Sequence, residues 1–478
     1  MTSLKNKIIS GLAWSGLAKL FTQVLSWIST FVVIRYLTPD DYGVVSVAFA
    51  LMGIFQILSE FGLAEALIQK KELHQRNYSQ VFTITFVINL SIFILLFSLS
   101  DVIASYFNEQ RLENVLVYIS ANLVLSSFIV IPESLLNRNM SFKQRAVIES
   151  CASLFNTLVT LFLAIQGAGY WAILLGLTMN TLVKVFLFNI YVNVNYKLTT
   201  SFKEFKSLFN FGFYTFLSRV VWAMYSKIDV FVIGKVLGTQ ALGFYSVANQ
   251  IASMPLDKLS GTVNQVAFSG FSQLHRDKKA DIEPLYYSLR LISCLIFPCF
   301  IGIAAVAPVL VPLVIGPQWI DSVVLIQLLC IMMPFKLINS LLGTYIASLG
   351  DAKFNLGNSI AYFVCISTGV FIGHYYGVTG VALGVVSGFI CCFVLVTYRI
   401  SKLLKTTITQ LLGIILLPVV LSLLMWAGIM IMDTYSHQLI PLLNLVVLVV
   451  IGFISYSLLI AAFGQSYLRT LIKAFRKA

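Results

Sequence analysis

At 478 residues the chain has only 11% charged residues against 59% hydrophobic ones, with a mean hydropathy of +0.90. Soluble domains carry about 25% charge, so the composition excludes a soluble enzyme or nucleic-acid binder and reads as an all-α polytopic membrane protein. The net charge of +13 must then be explained by where the basic residues lie.

A helix needs about 20 apolar residues to cross the hydrocarbon core. Met1–Ser10 carries Lys5 and Lys7 ahead of an apolar run, but no small-residue cleavage site follows at the right distance. A retained first helix is predicted there. In chain order the spans fall at roughly 11–34, 44–67, 80–100, 115–136, 146–166, 170–192, 211–234, 288–315, 322–347, 355–375, 378–400, 409–432 and 440–463. The stretch 242–268 is borderline, because it holds Asn249, Gln250, Asp257, Lys258, Asn264 and Gln265. The basic residues argue that it spans. With it included, the loops on the N-terminal side of the membrane hold Lys5, Lys70, Arg138, Lys197, Arg276, Lys353, Arg399, Arg469 and nearly all other basic loop residues. The opposite loops hold only Arg35, Arg111 and Lys235. The positive-inside rule then predicts about fourteen helices with both termini cytoplasmic. The net charge is mostly this topology signal, with contact to anionic lipids as a by-product.

A shift of 200 residues aligns "FVVIRYLTPDDYGVVSVA" (31–48) on "FVIGKVLGTQALGFYSVA" (231–248) without a gap. Gly43 falls on Gly243, Arg35 on Lys235 and Lys19 on Arg219. Six helices separate the copies, so the halves are parallel repeats about an axis along the membrane normal. The expected domains are 1–200 (helices 1–6), 201–405 (helices 7–12), and 406–478, which holds two further helices and a basic tail.

Charges inside spans are costly, about 2.5–3.5 kcal/mol each on insertion scales. Lys19 lies about eight residues, roughly 12 Å, into the first span, and Arg219 takes the matching depth in the seventh. Neither has an acid at i±3 or i±4. Lys227 and Lys258 are further cations near this level, with Glu60, Asp229 and Asp257 as the acids. Two readings stand. Either these groups pair with one another, as Lys19 with Glu60 or Arg219 with Asp257, or they line a cationic chamber for an anionic headgroup, where arginine and lysine suit a phosphate. For Lys184 and Lys336, packing, a local partner or snorkelling is expected. Proline recurs in the spans (Pro132, Pro255, Pro298, Pro308, Pro312, Pro334, Pro418), inviting kinks. "GVTGVALGVVSG" (377–388) permits close helix approach. The seven cysteines lie in apolar stretches as packing residues. No metal-ligand spacing, Gly-rich phosphate loop, HExxH or catalytic triad is present, so neither a metal site nor enzyme chemistry is expected.

The opening "KNKIISGLAWSGLAKLFTQVLSWISTFVVIRYLTPDDYGVVSVA", then "LSEFGLAEALIQKKEL" (58–73), "IPESLLNRNMSFKQRAVIES" (131–150), "VLGTQALGFYSVANQIASMPLDKLSGTVNQVAFSGFSQL" (237–274) and "VPLVIGPQWIDSVVLIQLLC" (311–330) resemble Wzx-type polysaccharide-repeat flippases. These belong to the multidrug/oligosaccharidyl-lipid/polysaccharide exporter (MOP) superfamily, and the WzxC-like exporters linked to colanic and teichuronic acid are the subgroup most alike. The resemblance implies a MATE-like, V-shaped, two-lobed bundle in the cytoplasmic (inner) membrane. It implies translocation of undecaprenyl-diphosphate-linked oligosaccharide by alternating access, for surface polysaccharide. In that reading Lys19 and Arg219, then Lys227 and Lys258, bind the diphosphate. Glu60, Asp229 and Asp257 are candidates for H+ or Na+ coupling, with no resident cofactor. The expected partners are the lipid-linked oligosaccharide, membrane lipids and a polysaccharide polymerase of the same pathway. The alternatives are a cation-coupled, MATE-like drug antiporter and a peptidoglycan-precursor flippase.

Overall fold

The computed structural model describes residues 22–60 (except 24), 75–199 (except 193 and 195), 220–276, 282–348, 352–436 and 438–467 (except 466). The described residues are helical almost throughout. In chain order the helices are α1 (Leu25–Tyr36), α2 (Pro39–Glu60), α3 (Gln75–Phe107), α4 (Arg111–Arg138), α5 (Phe142–Ile165), α6 (Trp171–Tyr191), α7 (Ile228–Val232) and α8 (Gly238–Arg276). They continue with α9 (Glu283–Leu310), α10 (Ser322–Ser348), α11 (Ala352–Gly373), α12 (Gly377–Leu403), α13 (Ile408–Ser436) and α14 (Pro441–Phe463). Among the described residues eleven helical runs are long and apolar enough to cross a membrane. One of them, Leu356–Leu403, joins α11 and α12. The borderline stretch 242–268 lies inside the 39-residue helix α8. This is a multi-pass membrane protein. Half of the expected first span, and part of the seventh, lie outside the described residues.

Local chemistry explains where helices start and stop. Thr38, Pro39 and Asp41 open α2 with a reciprocal capping box. Asp41 N donates to Thr38 Oγ1 at 3.2 Å, and Thr38 N donates to Asp41 Oδ2 at 3.3 Å. Pro39 takes the first helical position, where its missing N–H costs nothing. After α7 the chain runs through a wide π turn (Ile233–Leu237) to Gly238 at φ +89°, a backbone region open to glycine. The same device recurs after α9, where the π turn Val311–Ile315, which contains Pro312, ends at Gly316 with φ +110°. Elsewhere α4, α8, α9, α10 and α13 run on through Pro132, Pro255, Pro298 and Pro308, Pro334, and Pro418 respectively.

The chain divides into two compact units, Met1–Gly243 and Phe244–Ala478. In the first, α3 packs on α4, α4 on α6 and α5 on α6. Hydrogen bonds as well as apolar packing tie these helices. Asn89 Nδ2 donates from α3 to Leu123 O (3.1 Å) and Ser127 Oγ (2.9 Å) of α4. Asn122 Nδ2 of α4 donates to Thr178 Oγ1 of α6 at 3.2 Å. Close backbone contact joins the two copies of the repeated motif. A Cβ on Gly43 would lie 1.9 Å from Thr239 O, and one on Gly243 would lie 1.7 Å from Pro39 O. Residues 39 and 43 thus meet 239 and 243 reciprocally, in the register of the 200-residue shift.

In the second unit α9 packs against α10, α13 and α14. Phe297, Phe335 and Phe393 link α9, α10 and α12 through edge-on ring contacts at 5.3 Å. Lipid is as apolar as leucine, so helix association in the membrane relies on close approach at small residues. The α11–α12 hairpin shows this. Cβ atoms on Gly369 and Gly384 would sit 2.1 and 2.0 Å from each other's carbonyl oxygens, and Gly373 and Gly380 meet in the same way. Large apolar side chains such as Phe97, Phe186 and Phe453 face outward. Tyr36, Tyr106, Tyr375, Tyr376 and Tyr435 are exposed at helix ends, where amphipathic rings suit a membrane interface.

The hairpin gives a stability test. Gly384→Leu forces the two backbones apart and is expected to destabilise the protein by about 1–3 kcal/mol or more, lowering its thermal midpoint in detergent. Gly413→Leu, at a glycine with nothing within 4 Å of its Cβ position, is expected to leave the midpoint in place.

Candidate functional site

Lys19 and Arg219 lie outside the described residues. Glu60 closes α2 and Lys258 lies within α8, and their side chains are also outside the described set. Lys227 and Asp229 are half-buried where α7 begins. The Asp229 carboxylate accepts from the adjacent Val230 N at 2.8 Å. Asp257 is exposed on α8 and accepts from Ser253 Oγ, one turn earlier, at 3.1 Å.

Three other constellations stand out, each inside one unit. The first is a polar chamber of about 660 Å³ in the first unit, walled by α2, α3, α4 and α6. It is lined by Gln56, Asn89, Asn122, Asn180, Thr181 and Lys184. Glu133 also lines it, but its carboxylate is held at 2.9 Å by Arg145. Arg145 further reaches Glu149 (2.8 Å) and Asn137 (2.8 Å). Lys184 lines the chamber with no acid partner among the described residues, about two-thirds of the way along α6. Its side chain is half-buried at this lining. Charges were the guide in reading the sequence. The missed signal was amides recurring inside apolar helices, at Asn89, Asn122 and Asn180.

The second is a polar tie at the end of the first unit where the α1–α2, α3–α4, α5–α6 and α7–α8 junctions converge. Arg111 bonds Asp40 and, at 2.7 Å, Glu109. Thr239 donates its hydroxyl to Asp40. Lys235 donates to Tyr106 O and lies 4.6 Å over the Tyr106 ring. Gly169, at φ +55°, brings the α5–α6 turn against Asp41. The hydrogen bond from Arg111 holds the Glu109 carboxyl below its ordinary pKa. In the sequence these residues register only as the repeat motif and as the three basic residues of the sparse loops. Their pairing joins positions up to 199 residues apart.

The third is an apolar groove of about 640 Å³ in the second unit, between α9, α13 and α14. Pro298 and Gly302 line the α9 wall, while Met425, Leu448 and Phe453 line the facing walls. Tyr456 is anchored by donation to Cys294 O at 2.9 Å.

Among the described residues no group of histidine, cysteine and carboxylate side chains could hold a metal ion. A family model described as "Polysaccharide biosynthesis protein" matches residues 32–324. The chain is 24% identical over 397 residues to the lipopolysaccharide biosynthesis protein WzxC of Escherichia coli K12, covering 80% of this chain and 78% of that one. It is 23% identical over 446 residues to the teichuronic acid biosynthesis protein TuaB of Bacillus subtilis, covering 88% and 91%. The fold is similar to that of the lipid II flippase MurJ in an inward closed conformation, with a TM-score of 0.76 at 17% identity over 95% of this chain and 99% of that one. It is also similar to an inward-facing MATE transporter of the MOP superfamily, with a TM-score of 0.62 at 16% identity over 80% and 96%. The chain belongs to the polysaccharide biosynthesis protein family, whose model matches more than half of it.

Proposed function

We propose that this protein is a flippase that carries undecaprenyl-diphosphate-linked oligosaccharide across the cytoplasmic membrane by alternating access, for surface polysaccharide. The observation that carries the reading is the polar chamber inside an otherwise apolar helical unit. Polar side chains at membrane depth are tolerated where they meet protein or an aqueous path, and a chamber of this kind serves a polar cargo. Family membership and relatives named for lipopolysaccharide and teichuronic acid biosynthesis support the same reading. The likeness to MurJ and MATE is one of fold, and no observation here favours lipid II or a drug as cargo. The protein acts as a transporter rather than an enzyme, and a polymerase of the same pathway would receive its product.

In this proposal the chain has fourteen spans with both termini in the cytoplasm, lobes 1–200 and 201–405, and an appended pair of helices in 406–478. Lys19 and Arg219, with Lys227 and Lys258, bind the diphosphate as point charges and fork. Glu60, Asp229 and Asp257 are the groups available to couple transport to H+ or Na+. The groove between α9, α13 and α14 offers the polyprenyl chain an apolar course. In the proposed topology the Asp40–Arg111–Thr239 tie lies on the external face, where it would hold the exit closed and part when cargo leaves.

Two experiments test this reading. Replacing both Lys19 and Arg219 by alanine is expected to abolish surface polysaccharide at unchanged protein level, assayed on whole cells; undiminished export removes the diphosphate assignment. For the tie, Asp40→Cys combined with Thr239→Cys is expected to stop export on oxidation and to regain it with reductant. An oxidised pair that still exports shows that this end does not gate. The pH sign follows from Glu109. Its folded pKa lies below the ordinary carboxylate value of about 4.3, so its contribution is present above that value and is lost as pH falls through the lowered one. External labelling of a cysteine behind the tie is therefore expected to stay flat down to mildly acid pH and to rise only below it.

A further inference from the structure

A proline inside a helix has no N–H to give the carbonyl four residues earlier, so that carbonyl loses its helical partner. In a membrane no bulk water is at hand to replace it, and another group must supply the hydrogen bond. Six prolines lie inside the described α-helices: Pro132 in α4, Pro255 in α8, Pro298 and Pro308 in α9, Pro334 in α10 and Pro418 in α13. Four residues before Pro132, Pro298, Pro308 and Pro418 stand Phe128, Cys294, Ala304 and Ile414. Each of these four carbonyls accepts from a side chain that belongs to a different element.

Tyr456 of α14 donates its hydroxyl to Cys294 O of α9 at 2.9 Å. Tyr467, just beyond α14, donates to Ile414 O of α13 at 2.8 Å. Gln327 Nε2 of α10 donates to Ala304 O of α9 at 3.2 Å. On α4, Phe128 O receives Asn189 Nδ2 of α6 at 3.2 Å and lies 2.9 Å from the hydroxyl of Tyr196, in the segment that follows α6. That hydroxyl has one proton and is bonded to Asn189 Oδ1 as well, so phenol, amide and carbonyl close a small ring. The Tyr196 ring rests against those of Phe82 and Phe128, 4.8 and 5.4 Å away. The donors stand between 23 and 162 residues from their acceptors along the chain, so local helix geometry does not place them.

Plain core packing is the competing account. Tyr456 and Tyr467 are only 9% and 7% exposed, and packing explains a buried ring. It does not explain hydroxyls that end on carbonyls in the one register a proline vacates, nor a glutamine amide that does the same. In an uninterrupted helix each of those carbonyls would already hold the N–H four residues on. The position of the donor therefore follows from the proline. Helix α9 is gripped twice, at Cys294 by α14 and at Ala304 by α10, at points about 15 Å apart along its axis.

We propose that these donors are locks on proline joints. Each supplies, from a neighbouring element, the hydrogen bond that a proline removed, and so fixes its helix at a joint that has no backbone hydrogen bond of its own. Such a joint has two states: locked, with the side chain on the carbonyl, and released, with the carbonyl open to another donor. Movement at Pro132, Pro298, Pro308 or Pro418 then exchanges one side-chain hydrogen bond and leaves the ladder on either side whole. An uninterrupted helix would have to break a ladder bond to move at the same point. The locks make α14 and α10 the elements that control α9, Tyr467 the residue that controls α13, and α6 with the Tyr196 segment the pair that controls α4. The proposal stands on hydrogen-bond geometry and holds whatever cargo is carried.

The test uses the full-length protein in nanodiscs, with backbone amide exchange read peptide by peptide and the thermal midpoint read alongside. Tyr456→Phe removes one hydroxyl and keeps the ring. It is expected to raise exchange in the turn after Pro298 about fivefold, the size of one net hydrogen bond, and to leave the turn after Pro418 unchanged. Tyr467→Phe is expected to do the converse. Pro298→Ala returns an N–H to Cys294 O, so in that background Tyr456→Phe is expected to lose most of its effect on the midpoint and on exchange; the two changes are non-additive. Tyr286→Phe is the control, because its hydroxyl is bonded to Thr406 Oγ1 at 2.6 Å and not to a freed carbonyl. Its effect is expected to be the same with and without Pro298→Ala. A loss from Tyr456→Phe that is equal with and without Pro298→Ala overturns the lock. Exchange that rises evenly along the chain, instead of at the matching joint, overturns it too. If Pro298→Ala does not fold, the pair Pro418→Ala and Tyr467→Phe decides on the same terms.

Discussion

Inside a hydrocarbon slab a polar atom has no water to turn to, so each one must be paired within the protein or kept for a purpose. That constraint organises this molecule. Backbone groups are satisfied by helices, and the amide nitrogens of Asn89 and Asn122 donate across to α4 and α6. At the end of the first unit four junctions are tied by Asp40, Arg111, Glu109 and Thr239. The exceptions then carry information. Lys184 lines the chamber with no acid partner among the described residues, and the tied end and the chamber belong to the same compact unit.

The two units divide the polar and apolar work differently. The first concentrates amides, hydroxyls and a lone cation around a cavity. The second, between α9, α13 and α14, builds a groove of almost pure hydrocarbon. The proposed cargo, made of sugar, diphosphate and polyprenyl, has the same mixed character. Glycine sets how closely helices approach in each unit, through Gly43 and Gly243 in the first and the α11–α12 ladder in the second. Where hydrophobicity cannot drive association, such contacts and the buried amides set the geometry.

The multi-pass helical character, the repeated motif and the family are legible in the sequence. Hydropathy finds apolar runs because their length is set by the bilayer. The 200-residue shift matched Gly43 to Gly243, and the structure seats those two glycines on Thr239 and Pro39. Boundaries were less legible. The start of α2 falls at Pro39 rather than near residue 44, because a capping box decides it and hydropathy does not see a cap. The borderline stretch 242–268 proved to be the interior of a longer helix.

By itself the sequence determined that this chain crosses a membrane many times and that it belongs to a polysaccharide biosynthesis family. These properties are local or additive along the chain, so a linear reading recovers them. Only the tertiary structure decided which polar residues share a cavity. Asn89, Asn122 and Lys184 sit on three helices, and nothing in their neighbours along the chain indicates that they face the same space. The same holds for Asp40, Arg111 and Thr239, joined across junctions far apart in sequence. Which helices lie side by side is set by close packing and buried hydrogen bonds between distant residues, and hydropathy does not record those contacts.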